Sequence, residues 1–307
     1  MEKQDYIEQL ADNFYLVKGP DNARIPFCNS FLLQGRERVL IDAGAGEAII
    51  KAIDRERRID VLIITHPHPD HILASHVLKD RHLMLPKESP ESVHDLFELG
   101  RRFTGSDRGG HHWKKRMEEK YGIQPLKQAD SRFSHGDRIN LGGASLEAIH
   151  LPGHLRDHYG FFDHTSKTLL TTDVDFTGFG PWYGHEEADI EQFKQDVNAL
   201  AGMDTNLVCS SHKPPIGPQA KEAFHSFLTA FDRQQQEVLS CVGAGTTLET
   251  MVQGSPFYHH RFPDSFLQKI YEGHLVKKNL DLLVRAKVLR LENGIYTKDE
   301  EKIHAIH

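Results

Sequence analysis

Residues 65–71 read Thr-His-Pro-His-Pro-Asp-His and directly follow the apolar, β-branched run Val61-Leu62-Ile63-Ile64. The run reads as a buried strand that ends at Thr65. Each proline biases the residue before it, His66 and His68, away from the α region toward extended backbone. Side chains at i and i+2 of an extended chain point the same way, so these two imidazoles can converge on one point. Asp70 and His71 fall where Ile72, Leu73 and Val77 begin a helical spacing, and they can aim at a second point nearby. Imidazoles and a carboxylate packed this closely at a strand end suit a borderline transition metal such as zinc. The chain holds 21 histidines, so a lone one carries little weight; spacing and strand-end placement carry the argument.

The segment His66-Pro67-His68-Pro69-Asp70-His71 resembles the HxHxDH signature of the metallo-β-lactamase-fold superfamily. Further candidates follow in the family's order: His154 in Leu151-Pro152-Gly153-His154, Asp173 after Thr168-Leu169-Leu170-Thr171-Thr172, and His212 after Leu207-Val208-Cys209-Ser210-Ser211. Each also stands at the end of a short apolar strand, where layered α/β folds collect their functional loops. The resemblance covers roughly residues 10 to 215. It implies an α/β, four-layer αββα sandwich and two divalent metal ions, with zinc first and manganese or iron accepted by the same donors. In that scheme His66, His68 and His154 hold one ion, Asp70, His71 and His212 the other, and Asp173 bridges. Two such ions about 3.5–4 Å apart lower the pKa of a shared water and supply hydroxide near neutral pH. Asp70 would accept a proton as the hydroxide attacks, so no nucleophilic serine or cysteine is needed. The oxygen-reducing di-iron branch carries Glu where this chain has His68, which points to hydrolysis. One departure is visible: many members carry Gly-His-Gly at the last ligand, and here the residues are Ser211-His212-Lys213. Asp42, before the Gly44-Ala45-Gly46 turn, matches an aspartate that braces the metal loop in the family. Asp157 and His158, in a Gly-His-x-x-Asp-His variant, imply further support for that loop.

Along the chain, Phe14–Val17, Ser30–Leu33 and Arg38–Asp42 read as strands, and Glu47 to Asp54 as a short helix. From about Pro86 to Ser134 the pattern predicts a helical insertion, with helices at 92–103 and 112–121 joined by a glycine-rich polar tip, Gly105 to Gly110. Placed between two metal motifs, this insertion is expected to cover the site as a lid. Its basic residues Arg101, Arg102, Arg108, Lys114, Lys115 and Arg116 are matched by acids and predict a solvated helix face. Residues 1–215 thus read as a catalytic domain and 216–307 as a helical extension. The extension's helices are expected at 219–242, 266–272 and 275–286. Asn293-Gly294 between apolar alternations predicts a hairpin. Helices followed by a hairpin make a winged-helix-like order, similar to the extension of the β-lactamase-like 2 branch, in which nucleases are known.

At 307 residues with a net charge of −7, the chain has no global basic footprint for nucleic acid or acidic membranes. Cys28, Cys209 and Cys241 are few and scattered and read as buried small hydrophobes in a reducing compartment. The N-terminus has no apolar signal segment, and no run approaches a membrane span. A cytoplasmic protein is expected, acting on a small molecule, with homodimer formation left open. The loop 175–184 carries Phe179, Trp182 and Tyr183 between glycines and is expected to line an acyl pocket. These signs favour a dinuclear metal-dependent hydrolase of small esters, thioesters or lactones. A metal-dependent phosphodiesterase or endoribonuclease is the second expectation, and a non-catalytic metal or ligand sensor the third.

Overall fold

The computed structural model describes residues 6–140 and 145–299. The first sheet runs β1 (Ile7–Ala11), β2 (Phe14–Val17), β3 (Ser30–Gln34), β4 (Arg38–Ile41), β5 (Val61–Ile63), β6 (His82–Pro86) and β7 (Ser131–Phe133), each beside the next. It is antiparallel through β4 and parallel from β4 to β7. The second sheet has the order β12-β11-β10-β9-β8, built from β8 (Arg138–Asn140), β9 (Ser145–His150), β10 (Tyr159–Asp163), β11 (Thr168–Thr172) and β12 (Leu207–Ser210).

Period-two alternation divides the residues of each strand between two cores. Phe31, Leu33, Val39, Ile41, Val61 and Ile63 point into the space between the sheets, where Leu146, Ala148, Phe161 and Leu170 meet them. Their neighbours Leu32, Leu40 and Leu62 face the opposite way, onto α1 (Glu47–Glu56) and the insertion. Burial on both faces explains why β5 reads as a continuous apolar run. Beyond the second sheet, α4 (Ile190–Ala201) packs through Phe193 and Val197 against helices nearer the C-terminus. The result is the four-layer αββα arrangement expected above.

The insertion folds as α2 (Leu96–Thr104) and α3 (Asp107–Tyr121). Asp95 caps α2, accepting from the N–H groups of Phe97 and Glu98, and Gly105 ends it at φ +71°. Ser106 caps α3 at once, accepting from Gly109 N–H. The supposed tip is therefore mostly helix. Its glycines serve close packing: a Cβ on Gly110 would meet Arg101 N and Phe97 O at 3.0 Å, and one on Gly100 would meet Gly110 O at 2.9 Å.

Two charged residues of this insertion also depart from expectation. Arg102 turns inward to Asp157 and Glu187, and Arg116 pairs with Asp264. His112 lies 2.8 Å from the same carboxylate, at Asp264 Oδ2.

The C-terminal part comprises α5 (Ala220–Ser240), α6 (Leu248–Gly254), α7 (Ser265–Arg285) and the hairpin β13 (Leu289–Glu292) with β14 (Ile295–Lys298). The two helices expected at 266–272 and 275–286 are one. Gly273 lies in the gap between those ranges and faces Val252 of α6, and an isolated glycine costs a helix only about 1 kcal/mol. Phe224, Phe227, Phe231, Leu275 and Leu280 share one core with Leu169, Phe193 and Val208. Cys28 and Cys209 are buried as expected, whereas Cys241 is exposed.

Candidate metal centre

The strand ends bring the predicted residues together. His66 Nε2 lies 2.9 Å from His68 Nδ1, and His154 Nε2 lies 3.1 Å from the same atom. Asp173 Oδ2 stands 3.4 Å from His66 Nε2 and from His154 Nε2. Asp173 Oδ1 is 2.9 Å from His71 Nε2, and Asp70 Oδ2 is 3.1 Å from His212 Nε2 and 3.6 Å from His71 Nε2. Donor atoms of His66, His68, His154 and Asp173 are close enough to share one ion; so are those of His71, Asp173 and His212.

The outward nitrogens show why the inward ones can act as ligands. His154 Nδ1 donates to Trp182 O at 2.9 Å, and His71 Nδ1 to Asp42 Oδ2 at 2.8 Å. His212 Nδ1 donates to Ala23 O at 2.6 Å. His66 Nδ1 donates to Thr65 Oγ1 at 3.1 Å, because that hydroxyl gives its own proton to Asp42 Oδ2. With the outward N–H committed, a neutral imidazole presents its lone pair inward. His66 Nε2 and His154 Nε2 then both aim lone pairs at His68 Nδ1, at 2.9 and 3.1 Å, with Asp173 Oδ2 3.4 Å from each, a crowd of acceptors that a cation relieves. The donor set therefore fits a divalent metal.

Protonation separates the two halves of the centre. Burial holds His66 well below the usual imidazole range and pulls His68 down to about 4, so both are neutral. Burial works the same way on His71 and His212, but carboxylates outweigh it: Asp173, Asp42 and Asp70 raise His71 well above its ordinary value, and Asp70 raises His212 to about 9. Asp173 is held well below the carboxylate range, since His71 and His66 outweigh its burial. Nearby, burial pushes Asp175 up to about 6.

The supporting residues divide. Asp42, at φ +58°, accepts from Thr65 N–H and Thr65 Oγ1, each at 2.8 Å, as well as from His71. His158 Nδ1 donates to Leu151 O, leaving Nε2 to accept from Thr172 Oγ1 and Asp173 N–H. That bond helps fix Thr172, a β-branched residue at φ +48°, a conformation held only where neighbours over-determine it. Asp157 touches no histidine of the centre; it pairs with Arg102.

The aromatic loop also divides. Trp182 lies edge-on to His68 with ring centroids 5.4 Å apart and forms one wall of the site. Tyr183 does not reach the site: it is fully buried, stacked on Phe231, and its hydroxyl bonds Gln234 and Asn279. Phe179 stacks on Tyr258, one shell behind Trp182. Both were expected to line a pocket, and alternating glycines made the loop look more open than it is.

Sequence reasoning missed His185, whose Nε2 is 2.9 Å from His68 Nε2. No spacing marks it among so many histidines. The carbonyls of Ala23 and Trp182 were equally invisible, because backbone groups carry no residue signature.

Residues 24–212 match the Metallo-beta-lactamase superfamily, a span of more than half the chain. The chain belongs to that superfamily. Among its relatives, it is 28% identical over 208 residues to a hydroxyacylglutathione hydrolase of Ruegeria pomeroyi, covering 66% of this chain and 64% of that one. It is 29% identical over 148 residues to the hydroxyacylglutathione hydrolase GloC of Haemophilus influenzae, covering 47% and 63%. It is 23% identical over 239 residues to an atrochrysone carboxyl ACP thioesterase of Aspergillus fumigatus, covering 75% and 64%. The chain thus spans less than two thirds of the length of these curated relatives. In fold, it superposes on a metallo-beta-lactamase family protein of Thermus thermophilus with a TM-score of 0.71 at 18% identity, covering 94% of this chain and 100% of that one. Among the described residues, no helix is long and apolar enough to cross a membrane.

Proposed function

We propose that this protein is a hydrolase of thioesters or related small esters that works with two divalent metal ions. The inward-facing set His66, His68, His154, Asp173, Asp70, His71 and His212 carries this reading. His66, His68 and His154 would hold one ion, Asp70, His71 and His212 the other, and Asp173 would stand between. When bound, such ions activate water as a nucleophile and polarise the scissile carbonyl. Asp70 is held to His212 by one carboxylate oxygen, so it is the group best placed to accept a proton during attack. Trp182 shields the His68 side of the centre from water. A cleft of about 560 Å³ follows the ligands along the chain, lined by Phe176, Pro214, Ile216 and Phe227 with Lys213 and Arg233. It would receive the remote part of a substrate that carries both apolar and anionic groups. The hydroxyacylglutathione hydrolases and the ACP thioesterase among the relatives favour a thioester over a phosphodiester.

The test is turnover of a short acyl-thioester panel and of bis(p-nitrophenyl) phosphate on one preparation, with metal content measured by elemental analysis. Thioester hydrolysis that disappears with the metal and returns on reloading is expected. Phosphodiester turnover alone would replace this reading with the phosphodiesterase one.

A further inference from the structure

We infer that His185 is a positioning residue that sets which nitrogen of His68 offers a lone pair to the centre. The inference rests on the reading above, in which His68 helps hold a metal ion; Nδ1 is its inward atom, facing His66 and His154. The side chain is 2% exposed and sits between α2 and the aromatic loop. Its Nδ1 lies 3.3 Å from the carbonyl oxygen of Phe103, and its Nε2 lies 2.9 Å from His68 Nε2. Phe103 is in the last turn of α2, where the final carbonyls have no helical partner, so this oxygen is free to accept.

The direction of each proton follows. A carbonyl only accepts, so the proton of neutral His185 is on Nδ1 and its Nε2 is an acceptor. The hydrogen bond to His68 then requires the proton on His68 Nε2. That leaves a lone pair on His68 Nδ1, the atom 2.9 Å from His66 Nε2 and 3.1 Å from His154 Nε2. Reasoning from the metal end gives the same answer, since a ring that ligates through Nδ1 must carry its proton on Nε2. His68 is the only one of the five histidines whose outward partner is itself a histidine; the other four end on a carboxylate, carbonyl or hydroxyl. His185 therefore transmits the acceptor character of Phe103 to a nitrogen that would otherwise be free to take either tautomer. The insertion reaches the centre through this bond, as a brace on one ligand.

Packing alone is a rival role, because the His185 ring also stacks on Phe103 at 4.3 Å. Two variants separate them. His185→Phe keeps an aromatic ring on Phe103 and loses both hydrogen bonds. His185→Gln loses the ring but can accept from His68 and donate to Phe103. Zinc affinity of the full chain, measured by chelator competition, should fall about 10–100-fold in the Phe variant. It should stay within about threefold of wild type in the Gln variant. Nitrogen-detected NMR of the metal-stripped protein should show His185 protonated on Nδ1 and His68 on Nε2, with the His68 preference weakened in the Phe variant. Wild-type affinity in the Phe variant, or a Phe variant that outperforms Gln, would overturn the inference in favour of packing. His68 protonated on Nδ1 in the wild type would overturn it directly. A wild-type chain that takes up no zinc would instead sink the metal reading, while the tautomer measurement still decides the role of His185.

Discussion

Arg102 joins the insertion to the loop that carries His154 and His158, and its removal has a calculable cost. Its guanidinium spans two carboxylates: Nη2 is 2.6 Å from Asp157 Oδ1, and Nε is 2.7 Å from Glu187 Oε1. Asp157 is 0% exposed and the Arg102 side chain only 14%. Arg102→Met keeps most of the stem and deletes the charge. Asp157 is then left buried without its cation. Breaking a buried pair by removing one partner typically costs about 3–5 kcal/mol, and the partial exposure of Arg102 puts the expected loss at pH 7 toward the lower end, about 3 kcal/mol.

Urea unfolding of metal-stripped wild type and variant at pH 7 measures the difference. The double variant Arg102→Met/Asp157→Asn should recover at least half of the loss, since the wholly buried carboxylate is then gone and only Glu187, which also meets Arg156, lacks the guanidinium. A loss under about 1 kcal/mol would show that the pair is worth no more than a surface contact.

Zinc binding near pH 7 should release protons, because His71 and His212 must give up protons that carboxylates help them hold. Calorimetry in buffers of different ionisation enthalpy would detect the release, and affinity should climb until the pH passes about 9; equal heats in all buffers would contradict the assignment. Asp70→Asn should keep at least one metal by elemental analysis while turnover falls about 10²–10⁴-fold, the usual cost of losing a general base. Tyr183→Phe deletes a hydroxyl bonded to Gln234 and Asn279, so stability should drop by about 1–3 kcal/mol with kcat/KM unchanged. A selective change in kcat/KM would place Tyr183 in the substrate pocket after all.

The strands that frame the centre were legible because burial on two faces leaves an unbroken apolar run, as in Val61 to Ile64, and turn residues punctuate such runs. The clustering of His66, His68, Asp70 and His71 was legible for a related reason: extended and helical geometry convert spacing directly into direction. Two kinds of feature were hidden. Glycine was ambiguous between flexibility and close approach, which turned the start of α3 into a supposed loop. Inward charge was ambiguous too. Arg102 sits in an insertion whose charges nearly balance on paper, and only the fold shows that its partners, Asp157 and Glu187, lie far along the chain.

The outward partners of the histidines explain why the centre needs so much of the chain. Asp42 and Thr65 stand at the ends of β4 and β5, and Ala23 offers its carbonyl from a turn of left-handed residues, Asp21 to Ala23. Trp182 offers its carbonyl from the aromatic loop, and Phe103 acts through His185 from the insertion. The loop is fixed in turn from the C-terminal side. Trp182 Nε1 donates to Tyr258 Oη at 2.7 Å, and the backbone of Phe257 and Tyr258 donates to Glu272, a wholly buried carboxylate that also accepts from Ser255 Oγ. A buried carboxylate with three donors is costly to disturb, so this end of the chain is a stiff support. Residues beyond 216 therefore bear on His154 through two hydrogen bonds and one peptide carbonyl.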